Sequence, residues 1–225
     1  MNILAVADDE SKSLWDFYDP VKLENVDLII SCGDLKPSYL EFLVTMAHCP
    51  VLYVCGNHDS RYEQHPPEGC ICIEDRVYDY HGLRILGLGG SMRYKPGPYM
   101  YTEREMQNRI SKVRRDIILK NGFDVLVTHA PAKGYGDMQD LPHQGFACFN
   151  DMMEKYHPKY MLHGHVHQSY SHTFQRVLPH NSGTKIINAY ETYRFEIADN
   201  EYPQEGHTGS PLYDLMVSMR RPKYG

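Results

Sequence analysis

Five apolar runs of the chain end on residues that can bind a cation. Ile3–Ala7 gives way to Asp8-Asp9-Glu10, Asp27–Ser31 to Cys32-Gly33-Asp34, and Val51–Val54 to Cys55-Gly56-Asn57-His58-Asp59. Asp124–Thr128 leads into His129-Ala130-Pro131, and Tyr160–Leu162 into His163-Gly164-His165-Val166-His167. Asp, Asp, Asn, His and His form a set of hard oxygen and imidazole donors suited to a divalent metal. Successive carboxylates at Asp8-Asp9-Glu10 repel one another unless something positive sits among them. Taken singly, each element has an ordinary reading: Gly-Asp as a turn, Asn-His-Asp as a helix cap, a lone His129 as a packed side chain. Their common placement at strand ends is what points to a site.

The elements that must position these residues can be read from the same pattern. Strand-like runs are expected at Asn2–Ala7, Asp27–Ser31, Val51–Val54, Leu83–Leu88, Asp124–Thr128 and Tyr160–Leu162. Helices are expected between them, at Lys36–His48, Thr102–Asn121 and Gly145–Tyr156. In Thr102–Asn121, Met106, Ile110, Val113 and Ile117 make an apolar stripe at helical spacing, and Gly122 is placed as the C-cap. Arg104, Arg109, Lys112, Arg114 and Arg115 read as its solvated face. After residue 168 the pattern changes to Tyr170–Phe174, Thr184–Asn188 and Arg194–Ile197, expected to be largely antiparallel. The polar segment from Asp199 is expected to wrap the surface. This is one α/β domain with sheet strands at both ends, and ligands of open α/β sheets collect at the carboxyl ends of strands.

The order Asp8, Gly33-Asp34, Gly56-Asn57-His58-Asp59, His129, Gly164-His165-Val166-His167 resembles the calcineurin-like metallophosphoesterase superfamily. The resemblance spans residues 3 to about 195. It implies a four-layer α/β sandwich, two mixed β-sheets face to face flanked by helices. Residues 1–198 would form the metallophosphoesterase domain, with 199–225 as a C-terminal tail packed on it. It also implies hydrolysis of phosphoester bonds by two-metal activation of a bridging water. Carried over by position, Asp34 would bridge both ions, Asp8 and His167 would bind the first, and Asn57, His129 and His165 the second. His58 would act as general acid, with Asp59 beside it to set its tautomer.

One block departs from the family pattern. The first normally reads Asp-x-His, and here it reads Asp8-Asp9-Glu10. On an extended chain Asp8 and Glu10 face the same side and Asp9 the other, so Glu10 would take the place of the imidazole. An anionic oxygen there favours Mn²⁺, Fe²⁺ or Mg²⁺ over Zn²⁺, with Mn²⁺ preferred. If Glu10 turns to solvent instead, the first site is weak. Substrate contacts are expected from Arg93, Tyr94 and Lys133, in loops that could lie beside the metals.

Composition bounds the alternatives. At 225 residues, 42% hydrophobic and 23% charged, the chain can build one sizeable core. A net charge of −6 argues against non-specific nucleic-acid coating and weakens a nuclease reading. No apolar run approaches a membrane span, no targeting segment is visible, and the six cysteines show no disulfide or CxxC pattern. A cytoplasmic protein acting on a small phosphoester is expected, with a nucleotide-like diester as the first choice. A phosphomonoesterase, a pyrophosphatase, or a binding scaffold with an eroded first metal site are the alternatives.

Overall fold

The computed structural model describes residues 1–170 and 174–220. In chain order it contains β1 (Asn2–Ala7), β2 (Leu28–Ser31), α1 (Pro37–Ala47), β3 (Val51–Tyr53), β4 (Ile71–Cys72), β5 (Arg76–Tyr80) and β6 (Leu83–Leu88). Then follow β7 (Ser91–Met92), β8 (Met100–Tyr101), α2 (Glu103–Leu119), β9 (Val125–Thr128), α3 (Ala147–Tyr156) and β10 (Tyr160–His163). The chain closes with β11 (Val177–Pro179), β12 (Lys185–Asn188), β13 (Glu191–Glu196) and α4 (Pro211–Arg220).

Side-chain alternation along these strands builds four layers. Ile3, Ala5, Ala7, Leu28, Ile30, Leu52 and Val54 of one sheet meet Leu83, Ile85, Val125, Val127, Leu162 and Ile187 of the other in a central core. The residues between them face outward. Leu4, Val6, Ile29, Val51 and Tyr53 pack on Tyr39, Leu40 and Leu43 of α1. Leu86, Leu126, Met161 and Ile186 pack on Met106, Val113 and Ile117 of α2 and on Phe149, Met152 and Met153 of α3. A strand buried on both faces reads as a continuous apolar run, which is why these segments are apolar without a break. Each fully buried aliphatic side chain contributes about 1.5–3 kcal/mol, so the three cores together fix the face-to-face arrangement.

The first sheet has the order β13-β1-β2-β3-β4 and the second β11-β12-β10-β9-β6-β5. Strands β1, β2 and β3 run parallel, as do β6, β9 and β10, so each sheet gathers its carboxyl ends on one edge. The expected four-layer α/β sandwich is the observed fold.

Several local expectations are corrected. The late strands are largely antiparallel as expected, β11 to β12 and β13 to β1, with the exception that β12 is parallel to β10. The last strand is Glu191–Glu196, beginning earlier than Arg194. The expected strand Tyr170–Phe174 falls largely outside the described residues, and Gln168–Tyr170 is a short 3-10 turn. Thr102 caps α2 through a reciprocal pair of bonds with Glu105. At the other end the C-cap is Lys120, not Gly122, and both Asn121 (φ 56°) and Gly122 (φ 101°) beyond it have positive φ; Asn121 N–H donates to Ile118 O and Gly122 N–H to Ile117 O. Arg109 does not belong to the solvated face of α2: it is 8% exposed. Residues after 198 include α4, whose Tyr213 and Val217 are buried, with the Tyr213 hydroxyl donating to Asp79. No helix among the described residues is long and apolar enough to cross a membrane.

Candidate metal centre

The carboxyl edges of the two sheets converge. Asp8 follows β1 and accepts the His165 N–H on both carboxylate oxygens, each at 2.9 Å. Asp34 follows β2 and accepts the His58 N–H at 2.8 Å. Asp8 (φ 68°), Asp34 (φ 58°) and His165 (φ 68°) all have left-handed backbone. For non-glycine residues that conformation costs about 1–3 kcal/mol each and persists where the surroundings over-determine it. Here it turns each chain sharply off its strand and aims the side chain back across the sheet edge. A Cβ on Gly56 would lie 2.1 Å from Asp34 Oδ1 and 2.7 Å from His129 Cε1, so only glycine allows that approach.

The two buried imidazoles have their tautomers set by main-chain carbonyls, which can only accept. His129 Nδ1 donates to Cys32 O at 2.8 Å, leaving Nε2 as the free donor atom for a cation. His165 does the opposite: Nε2 donates to Pro142 O at 2.7 Å, leaving Nδ1. His129 Nε2 lies 3.3 Å from Asp34 Oδ2 and 3.1 Å from Asn57 Oδ1. Ligand atoms of Asp34, His129 and His165 all fall within 4.8 Å of one another. An oxygen and two oriented imidazole nitrogens, desolvated and converging, fit a divalent ion.

The electrostatics show the same need for positive charge. Burial pushes the Asp8 carboxyl up to about 7 despite the opposing pull of His129. Burial also raises Asp34, but the charge and hydrogen bond of His129 outweigh it and hold Asp34 at about 2. Burial lowers His129, yet Asp34 and Asp8 bring it up to about 9. His165, facing that imidazole and largely buried, is held at about 3. With no other cation, protons on His129 and Asp8 neutralise the cluster.

Other residues picked from the sequence are distributed around this core. His167 Nε2 is 3.8 Å from Asp8 Oδ1, and its ring lies between Tyr170 (centroids 4.6 Å) and Tyr190 (4.8 Å). Tyr190 in turn donates its hydroxyl to Asp9. Because Asp8 is left-handed, the chain beyond it is not extended and the alternation argument for Glu10 does not apply. Glu10 instead receives Lys36, at 3.3 Å from its N–H and 3.2 Å from its ammonium. His58 is exposed, lining a cleft of about 370 Å³ with Asp8, Glu10, Asp34, Lys36 and Arg61. Asp59 Oδ2 accepts the N–H groups of Asp34 (2.8 Å) and Gly56 (2.7 Å), tying two ligand loops together. Arg93 binds Met100 O and Glu105, Tyr94 lies in the same surface loop, and Lys133 is exposed. None of these last three lines that cleft.

Lys36 and Arg61 were not singled out from the sequence. Lys36 lies two residues beyond Asp34 and Arg61 three beyond His58, and proximity to the Gly-Asp and Gly-Asn-His-Asp blocks is the signal that could have found them. The orienting carbonyls of Cys32 and Pro142 carry no sequence signal, since every residue has one.

Two face-to-face sheets with a carboxylate–imidazole cluster on their shared carboxyl edge define the class of metal-dependent phosphoesterases. A family model of the calcineurin-like phosphoesterase superfamily domain matches residues 1–196, and the chain belongs to that family. An uncharacterized protein of Haemophilus influenzae is 31% identical over 183 residues, covering 66% of this chain and 76% of that protein. Metallophosphoesterase domain-containing protein 1 of Homo sapiens is 22% identical over 68% of this chain and 57% of its own length, so this chain spans little over half of it. The solved structure of TT1561 of Thermus thermophilus superposes with a TM-score of 0.59 at 16% identity, over 84% of this chain and 89% of that one. A phosphopantetheinyl hydrolase from Mycobacterium tuberculosis has the same fold, with a TM-score of 0.55 at 15% identity over 84% of this chain and 88% of that one. Membership supports metal-dependent hydrolysis of phosphoesters.

Proposed function

We propose that the protein is a two-metal phosphoesterase, acting on a small, nucleotide-like phosphodiester. Asp34, Asn57, His129 through Nε2 and His165 through Nδ1 would hold one ion, with Asp34 shared with a second. Asp8 and His167 hold the other, with Glu10 as a further donor when it leaves Lys36. Two divalent ions held there, Mn²⁺ favoured, would supply charge neutralisation for the phosphate and an acidified water. His58, exposed above Asp34, donates a proton to the leaving oxygen, and its main-chain N–H keeps Asp34 oriented. Lys36 and Arg61 line the same cleft and add positive charge for the phosphate. The observation that carries this reading is the convergence of Asp34, His129 and His165 ligand atoms within 4.8 Å.

A second reading, a phosphoesterase fold kept as a binding scaffold, is favoured by one observation: Glu10 is engaged by Lys36. The two separate in one experiment. Protein reconstituted with Mn²⁺ is screened against chromogenic mono- and diesters, alongside His58→Ala. The enzyme reading expects diester turnover and, on an ester with a poor leaving group, a loss on the order of 10²–10⁴-fold in the variant with metal content kept, shrinking for nitrophenyl esters, whose leaving group hardly needs a proton. Metal binding with no turnover on any ester would leave the scaffold.

A further inference from the structure

One largely buried ion pair of the fold binds the main chain of loops that lead to the site. Glu74 sits between β4 and β5, and its Oε2 pairs with the Arg109 guanidinium of α2. The same carboxylate accepts the Cys55 N–H at 2.7 Å and the Gly89 N–H at 3.1 Å. Cys55 begins the loop that carries Asn57 and His58; Gly89 follows β6 in the second sheet. Gly90 N–H then donates to Cys55 O at 2.7 Å, and Ala130 N–H, next to His129, donates to Gly90 O at 3.3 Å. Arg109 completes the joint by donating to Gly89 O at 2.6 Å while its guanidinium stacks 4.4 Å from the Tyr101 ring centroid. A Cβ on Gly89 would meet Glu74 Oε1 at 2.2 Å and Cys55 O at 2.3 Å, so the joint closes only around glycine.

We propose that Glu74, oriented by Arg109, is a positioning residue for the metal centre: it clamps the Asn57–His58 loop of one sheet to the Gly89–Gly90 and His129 segment of the other. A buried ion pair is by itself weak evidence for stability, because desolvation offsets the attraction. What this pair does that an apolar filling would not is present one carboxylate to N–H groups of both sheets at once. Asn57 and His129 come from opposite sides of that joint, and their ligand atoms must sit at a fixed separation for one ion to meet both. Groups behind metal ligands typically account for about 10–100-fold in affinity.

The molecule supplies its own control. Arg84 and Asp124 form a second buried pair at the opposite, amino ends of β6 and β9, with Nη2–Oδ1 at 2.7 Å. It joins the end of α2 to the sheet through Lys120 O and Asn121 O and touches no ligand loop. The inference rests on the metal-site reading above, and the test separates the two. Mn²⁺ affinity by titration calorimetry and melting temperature without metal are measured for wild type, Glu74→Gln, Glu74→Asp, Arg109→Lys and Asp124→Asn. Glu74→Gln is expected to weaken Mn²⁺ binding about 10–100-fold. Glu74→Asp, which keeps the charge but shortens the reach, should fall between it and wild type. Asp124→Asn should lower the melting temperature with Mn²⁺ affinity within about twofold of wild type. Wild type that binds no Mn²⁺ defeats the metal reading itself. If wild type binds and folded Glu74→Gln binds equally well, the clamp is overturned. The clamp is equally overturned if affinity merely follows melting temperature across all variants, or if no Glu74 or Arg109 variant folds, since the pair is then structural.

Discussion

The two halves of the proposed metal centre are built differently. In the half around Asp34, Asn57, His129 and His165, the asparagine and both imidazoles are buried, His129 fully so, and each imidazole is locked by a main-chain carbonyl. In the half around Asp8, Glu10 and His167, Asp8 is buried as well, but Glu10 and His167 are partly exposed and Glu10 is in contact with Lys36. In the first half the donors have lost water and can regain that energy only from a cation or a proton. In the second, a lysine ammonium already supplies positive charge to the acidic strand end. Burial and fixed tautomers therefore favour tight, geometrically selective binding in one half, and exchangeable binding in the other.

The sharpest way to break this contrast is Asp34→Asn. Asp34 is the one carboxylate proposed to serve both halves, so the variant should lose affinity for both ions by more than the roughly 10–100-fold of an outer-shell change. Elemental analysis after gel filtration reads this directly. Two retained ions would remove Asp34 from its bridging place.

A pH titration probes the buried titratable groups of both halves. Metal must displace the proton that His129 holds up to about pH 9, so apparent Mn²⁺ affinity should rise roughly tenfold per pH unit between 7 and 9. Below about pH 7, Asp8 must release a proton too, and the slope should steepen toward two protons. Calorimetry in buffers of different ionisation enthalpy counts the protons released. A flat profile would mean that neither group is displaced by metal.

The smallest effect belongs to the exposed half. Lys36→Met frees Glu10, and Glu10→Ala removes it; a partly exposed charge contact is worth about two- to fivefold in either direction. The metal concentration needed for half-maximal activity should fall in the lysine variant and rise in the glutamate variant. Superimposable curves would place Glu10 outside the metal site, and its contact with Lys36 would then be its whole role.

Much of the fold was legible because its strands are buried on both faces. Runs such as Leu83–Leu88 and Asn2–Ala7 match the observed strands residue for residue. The pieces that escaped have physical reasons. The two-residue strands β4, β7 and β8 are too short to show a period, and β12 runs parallel to β10 because alternation encodes burial, not partner or direction. Arg109 sits in a basic stretch of α2, and its burial depends on Glu74, thirty-five residues earlier. A periodicity confined to one helix cannot register such a partner.

For the site, residue identity and strand-end placement pointed to a set of hard oxygen and imidazole donors, of which Asp34, His129 and His165 converge. What each donor does was decided elsewhere. The free nitrogen of His129 depends on a carbonyl 97 residues away, and the orientation of Asp8 on an N–H 157 residues away. The left-handed turn at Asp8 redirected the chain, and Glu10 met Lys36. Local sequence determines which atoms are available and which way a strand buries its side chains. Which lone pair points at the ion, and which acid already has a partner, follow from contacts that exist only once the two sheets have closed.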